Sequence, residues 1–540
     1  MGTARWWQTG VVYQVYPRSF GDADGDGVGD LEGIRGHLDY LEWLGVDAIW
    51  ISPFYRSPMK DFGYDVADYT DVDPLFGDLA AFDRLLADAH TRGLRVIVDF
   101  VPNHTSDQHP WFVESRSARE NAKRDWYVWR DAKPDGGPPN NWISVFGGSA
   151  WAWDEATGQF YLHSFLAEQP DLDWRNPEVK AAMFDVLRFW LDRGVDGFRI
   201  DVAQFVAKDP LLRDNPPNPD PELLAHMGAW SQQLHLYDHG HPDLHAIYRE
   251  FRALLDSYPG DRVSIGELHH EQFDVWAGFY GQNLDEIHLP FNFHLLFAKW
   301  EAERLRYIVD AIEAALPEGA PPNWVLGNHD QPRLASRIGE GQARVAMLLL
   351  MTLRGTPTIY YGDELGLPNA EIAPDQVRDP WGLVESAQGR DPGRSPMPWD
   401  ASPDAGFSAP DVVPWLPLAP GHEIWNVAAQ RDDPASLLEL TRRLIRLRRE
   451  HPALADGVHR SIGGTPDGTF CFTRSREGND VVPAVLVALN LTGEPRNLSL
   501  ECGVGRVLDG THPDRIGLDV DAAELALRPD EGLVVELVSP

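Results

Sequence analysis

The stretch GVDGFRID (194–201) decides the fold. It follows a segment, 178–193, in which Val179, Ala182, Met183, Val186, Leu187 and Trp190 recur at the spacing of one helix face. The run 197–201 then reads as a short buried strand ending on an acid. Arg199 and Asp201 are two apart, so an extended chain turns both to one face. A guanidinium there can hold Asp201 ionised. Helix, buried strand and polar strand end form one βα unit.

Working outward, the same unit recurs through the first 450 residues. Apolar runs at 11–15, 48–52, 95–100, 263–266, 286–289, 324–327 and 358–361 read as further strands. Helical stripes lie between them. Leu31, Ile34, Leu38, Leu41 and Leu44 mark 31–44, and Leu79, Phe82, Leu85, Leu86 and Ala89 mark 78–92. Leu437, Leu438, Leu440, Leu444 and Leu447 mark 434–450, with Pro434 placed in the first turn. Eight strands alternating with helices predict a parallel α/β sheet. The count matches a closed (β/α)8 TIM barrel. A doubly wound open sheet is the alternative.

Three stretches interrupt the alternation. Residues 104–176 carry PDGGPPNNW, FGGSAW and QPDLDW, too long for an ordinary loop. They read as a subdomain inserted after the third strand. Residues 203–242 and 367–433 follow the fourth and eighth strands. All three leave C-terminal strand ends, the face where barrel enzymes build their sites. From about 458 the texture changes to TFCFTR, VVPAVLVALNLT, RNLSLE and GLVVELV, an antiparallel β domain. The expected division is 1–103 with 177–457 as barrel, 104–176 as insert, and 458–540 as a sandwich-like C-terminal domain.

Composition narrows the function. With 47 Lys+Arg against 83 Asp+Glu, the net charge is −36. Phosphate backbones need basic surfaces, so nucleic acid is excluded as a partner, and anionic membranes are disfavoured. No run of about 20 apolar residues is present, and the opening MGTARWWQTGVVYQVY lacks a signal-like core. A soluble, cytoplasmic protein is expected, as a monomer or homodimer. Two cysteines, Cys471 and Cys502, exclude a disulfide framework and read as free thiols. Twenty tryptophans serve either core packing or sugar stacking. Trp190 and Trp324 read as core, and the basic run TRRLIRLRRE (441–450) as a solvated helix face.

Acids stand where the strands finish: Asp99, Asp201, Glu267 and Asp330. No phosphate loop, nucleotide fingerprint or Ser-His-Asp signature accompanies them. Paired carboxylates are the equipment of glycosyl transfer. A metal hydrolase is the competitor through Asn103-His104 and Asn328-His329, but no H-E-x-x-H occurs.

Four segments then resemble the signature regions of the α-amylase superfamily, glycoside hydrolase family 13: DFVPNH (99–104), GFRIDV (197–202), GEL (266–268) and LGNHD (326–330). QPDLD (169–173), GVVYQVYPRSF and ISPFYRSPMKDFGYDVADY resemble its α-glucosidase and oligo-1,6-glucosidase branch. The resemblance covers almost the whole chain. It implies Asp201 as nucleophile, Glu267 as general acid/base and Asp330 as the third carboxylate. It implies that Tyr64, Asp65, His104, Arg199 and His329 grip the glucose, that Arg394 pairs with Asp65, and that Phe146 and Phe165 form apolar walls. Val202, beside the nucleophile, is implied to bias linkage toward α-1,6. Crowding by three carboxylates is expected to raise the pKa of the acid.

The loop GDADGDGVGD points Asp22, Asp24, Asp26, the Val28 carbonyl and Asp30 at one centre, as hard-cation loops do. The branch's calcium site resembles it. One structural Ca²⁺, or Mg²⁺, is expected, with no organic cofactor. The activity expected is an exo-acting, retaining α-glucosidase with transglucosylation. The rivals are oligo-1,6-glucosidase, sucrose or trehalulose hydrolase, trehalose synthase, and a non-catalytic sugar-binding barrel.

Overall fold

The computed structural model describes residues 5–476, 478 and 482–538, without the side chains of 222–226. Eight strands close a barrel: β1 (Val12–Val15), β2 (Ala48–Ile51), β3 (Arg95–Phe100), β4 (Gly197–Ile200), β5 (Val263–Gly266), β6 (Leu289–Asn292), β7 (Asn323–Val325) and β8 (Thr356–Tyr360). Neighbours pair in parallel all the way round, with β8 returning to β1. The open-sheet alternative is thereby excluded. Every residue of β1, β2, β4, β5, β6, β7 and β8 is buried, as expected of strands covered on both faces.

Strand registers set the site. Ile97 pairs with Gly197 on one side of β4, and Gly266 with Ile200 on the other. The Asp201 amide donates to Phe100 O at 2.8 Å, and the Glu267 amide to Ile200 O at 2.9 Å. The two acids therefore leave the barrel rim side by side.

Several local expectations shift. The sixth strand begins three residues later than its reading. Glu286 instead sits in the loop, where its carboxylate meets His245 at 2.7 Å and Arg249 at 2.8 Å. The first helix is two, Leu31–Gly36 and Leu38–Leu44, broken at His37, whose ring stacks on Trp399. The last helix is Leu437–Glu450, capped by the Ser436 hydroxyl accepting the Glu439 amide. Pro434 thus lies outside the first turn. Nor is the basic run merely a solvated face: Arg448 is buried and donates to Met351 O and Leu353 O, while Arg443 holds Asp509 of the C-terminal sheet. Trp190 and Trp324 are core, each fully buried.

The insert after β3 carries a three-stranded antiparallel sheet from Trp129–Arg130, Gln159–Leu162 and Trp151–Asp154. At the C-terminus a six-stranded antiparallel sheet, beginning at Val458–Ile462, turns Phe470, Phe472 and Val487 toward the barrel. Its other face, with Cys471, Leu486 and Leu533, packs on the pair Arg496–Leu498 and Leu525–Leu527. Cys471 and Cys502 are unbridged within that cluster. Among the described residues, no helix is long and apolar enough to cross a membrane.

Candidate active site

One guanidinium organises the rim. Arg199, buried at the end of β4, donates through Nη1 to Asp99 Oδ1 (2.9 Å) and Asp201 Oδ1 (2.7 Å). Its Nη2 donates to Glu267 Oε2 at 2.5 Å. Asp99 lies beneath the pocket and also takes the Trp50 indole N–H at 2.9 Å. Glu267 has two further contacts: the Val202 amide at 2.9 Å on Oε2 and His269 Nε2 at 3.0 Å from Oε1. Val202 reaches that amide geometry with φ +37° and ψ +50°, a left-handed conformation costly for a β-branched residue. Backbone strain of this kind concentrates at functional sites.

Protonation in this arrangement departs from expectation. Burial raises Glu267, but Arg199 and then His269 outweigh it and leave the group at about 2. Burial raises Asp201 well above the carboxylate range. Arg199 opposes, and Glu267 and Asp99 add to the rise. The crowding thus raises Asp201, which has Arg199 as its single side-chain donor, rather than Glu267, which has three donors.

The pocket is lined by Tyr64, His104, Phe146, Phe165, Asp201, Val202, Glu267 and Asp330. His329 lies just beneath. Gln14 donates to its Nδ1 at 2.7 Å, so Nε2 carries the hydrogen and meets the Tyr64 hydroxyl at 2.7 Å. Burial pushes His329 down to about 3 and His104 down to about 4, so both rings are neutral. Burial raises Asp330, but His329, Arg390 and Arg394 overcome it and hold the carboxyl well below its usual range.

The Arg394–Asp65 pair is corrected. Arg394 Nη2 donates to Asp330 at 2.9 Å and its Nε to His329 O at 2.7 Å. Asp65 faces away from the pocket, accepting from Ser57 Oγ (2.8 Å) and the amides of Lys60 (2.9 Å) and Asp61 (3.0 Å). The pocket is closed instead by Asp61, bound to Arg390 Nη2 at 2.7 Å and to Gln169 Nε2 at 3.2 Å. Met59, Phe62 and Gly63 all take positive φ, and this tight reversal aims Asp61 inward and Asp65 back at the loop. Arg390 is anchored behind by Asp379 at 2.6 Å. The sequence does mark these residues: Asp61 and Arg390 each stand four residues before Asp65 and Arg394, and Gln169 heads QPDLD.

The same pocket is also lined by the apolar Val145, Phe205, Met227, Trp230, Phe297 and Trp381, with Trp381 tilted on Phe146 at 5.2 Å between centroids.

In the acidic loop, Asp22, Asp24 and Asp30 each bring an oxygen within 4.8 Å of the others. Asp26 lies outside that group and accepts the Val28 amide at 2.8 Å. The Asp22 amide bonds Phe407 O, and Trp415 N bonds Gly27 O, so the loop is laced to the insert after β8.

A closed (β/α)8 barrel whose upper rim carries paired carboxylates on a shared arginine is the architecture of a glycoside-active enzyme. The chain belongs to the α-amylase family: the model of the α-amylase catalytic domain matches residues 14–457. It is a glycoside hydrolase. A probable alpha-glucosidase of Rhizobium meliloti (strain 1021) is 47% identical over 491 residues, covering 88% of each chain. An oligo-1,6-glucosidase of Heyndrickxia coagulans is 37% identical, covering 90% of this chain and 92% of its own. The crystal structure of the alpha-glucosyl transfer enzyme XgtA superposes with a TM-score of 0.92 at 43% identity, over 99% of this chain and 100% of that one.

Proposed function

We propose that the chain is an exo-acting, retaining α-glucosidase of short α-glucosides that also transfers glucose to other hydroxyls. Asp201 attacks the anomeric carbon while Glu267 protonates the leaving oxygen. Water deprotonated by Glu267, or a sugar hydroxyl in its place, then releases the glucosyl group. Asp330, Tyr64, His104, Asp61 and Arg390 hold the sugar.

Two features support retention and exo action. A single guanidinium binds Asp201 and Glu267 through adjacent nitrogens. That favours the spacing of about 5 Å used in double displacement over the wider gap that admits a water. The observation that carries the exo reading is the buried Asp61–Arg390 pair across the pocket end. A chain continuing past the terminal glucose would have to break it and leave charge unpaired.

The three-carboxylate loop fits a hard cation by its donors: oxygen only, two of the acids buried. Burial and the charges of Asp26, Asp30 and Asp22 raise the Asp24 carboxyl, the repulsion a Ca²⁺ or Mg²⁺ would relieve. Asp22, Asp24 and Asp30 would hold it, and its contribution would be structural.

The test is the product series from maltoheptaose and amylose. Glucose should appear first and amylose should be a poor substrate. Early maltose or longer fragments would overturn the exo reading. A panel of maltose, isomaltose, sucrose and trehalose separates this activity from its rivals on the same scaffold.

A further inference from the structure

Glu267 has two oxygens in different company. Oε2 faces Arg199 and the Val202 amide, donors that cannot take a proton. The acid form must therefore carry its hydrogen on Oε1. The contact of that oxygen is His269 Nε2 at 3.0 Å. His269 lies in the pocket wall with 24% of its side chain exposed. Its backbone amide is fixed by Gln204 Oε1 at 2.6 Å, and its ring packs on Phe293, centroids 4.6 Å apart. The side chain is thus held in place, yet one edge remains open to the pocket.

We propose that His269 is a positioning residue for the acid/base: it holds Oε1 of Glu267 and passes protons between that oxygen and the pocket. This rests on the reading of Glu267 above. A solvent proton reaching the pocket binds Nδ1 while the Nε2 hydrogen moves to Oε1, and the ring emerges as its other neutral tautomer. No oxidation is involved, and the reverse transfer restores the ring. The charged and titratable groups around it are Glu267, Asp201, Arg199 and Asp330 on the pocket side, and His239 and His270 on the other. His239 and His270 are held down by burial, at about 4 and about 3, so they stay neutral while the acid works.

The experiment compares wild type, His269→Phe and His269→Gln on maltose, whose leaving group needs an acid, and on 4-nitrophenyl α-glucoside, whose leaving group does not. The histidine bond favours ionised Glu267. His269→Phe should therefore move the basic limb of kcat/KM for maltose upward by about half to one pH unit. It should lower kcat/KM for maltose about tenfold or more and that for the aryl glucoside by a clearly smaller factor, since kcat/KM runs only to the glycosyl-enzyme and omits the base step both substrates share. Glutamine restores a donor near Nε2 but cannot relay. The limb should return while maltose turnover stays low. An unmoved limb in His269→Phe, or equal losses on both substrates, would show a merely structural residue and overturn the proposal. Glu267→Gln, run alongside, must be inactive on maltose; if it is active, the acid assignment fails instead.

Discussion

Replacing Asp61 by Asn tests which aspartate closes the pocket. In the protein, Asp61 Oδ1 accepts from Arg390 at 2.7 Å and Oδ2 from Gln169 at 3.2 Å. An amide of the same shape keeps the volume and loses the charge. A hydrogen bond to a charged group contributes about 1.5–3 kcal/mol. At about 1.36 kcal/mol per tenfold, kcat/KM on maltose should fall roughly 10- to 150-fold. Folding should survive, because Arg390 keeps Asp379 at 2.6 Å. The matched control is Asp65→Asn, which alters only contacts to Ser57 and the amides of Lys60 and Asp61. It should move the melting temperature more than it moves kcat/KM. The assay is initial-rate glucose release over a maltose series, beside thermal melts of each variant. If Asp65→Asn loses more catalysis than Asp61→Asn, Asp61 is not the aspartate that closes the pocket.

Asp201→Asn and Glu267→Gln should each cut maltose turnover by several orders of magnitude, since groups acting as a unit are not additive; near-normal rates in either would remove the mechanism. A chelator should lower the melting temperature through loss of folded-state binding at Asp22, Asp24 and Asp30; an unchanged melt with no metal by elemental analysis would dismiss the site. Lys208→Met strips the buried Asp171 of its cation at 2.7 Å and should cost about 3–5 kcal/mol in denaturant unfolding. Burial raises Asp171, but Lys208 and its hydrogen bonds pull it below its ordinary value. The difference should thus be full above the ordinary carboxylate range and close as the pH falls through the lowered value. Val202→Thr should shift the maltose-to-isomaltose ratio toward maltose, by a factor set by a contact of about 1–3 kcal/mol; a wild type that cleaves maltose and never isomaltose would show that Val202 is not the gate.

Much of the barrel was legible because its strands are covered on both faces. Apolar runs at 197–201 and 263–266 fell where β4 and β5 lie, and their acidic ends named Asp201 and Glu267. Burial on both faces leaves a mark in composition, and a strand end in a barrel has one destination. The same local logic gave the helix stripes, but not the break at His37, which answers to a stacking partner at Trp399, far along the chain.

What the chain order could not decide was which of two nearby residues faces inward. Asp61 and Asp65 share one loop, and Arg390 and Arg394 one turn. Irregular backbone has no period to count, so the inward choice rests on the positive φ at Met59, Phe62 and Gly63 and on Asp379 behind Arg390. Protonation was beyond sequence for the same reason. Glu267 and Asp201 are both acids at strand ends, and only the packed rim gives one of them three partners and the other one. Sequence determined the fold and the chemistry's residue types, because those follow from local pattern. Tertiary structure decided partners and the direction in which each acid's pKa moves, because those depend on which groups a buried charge meets across the barrel.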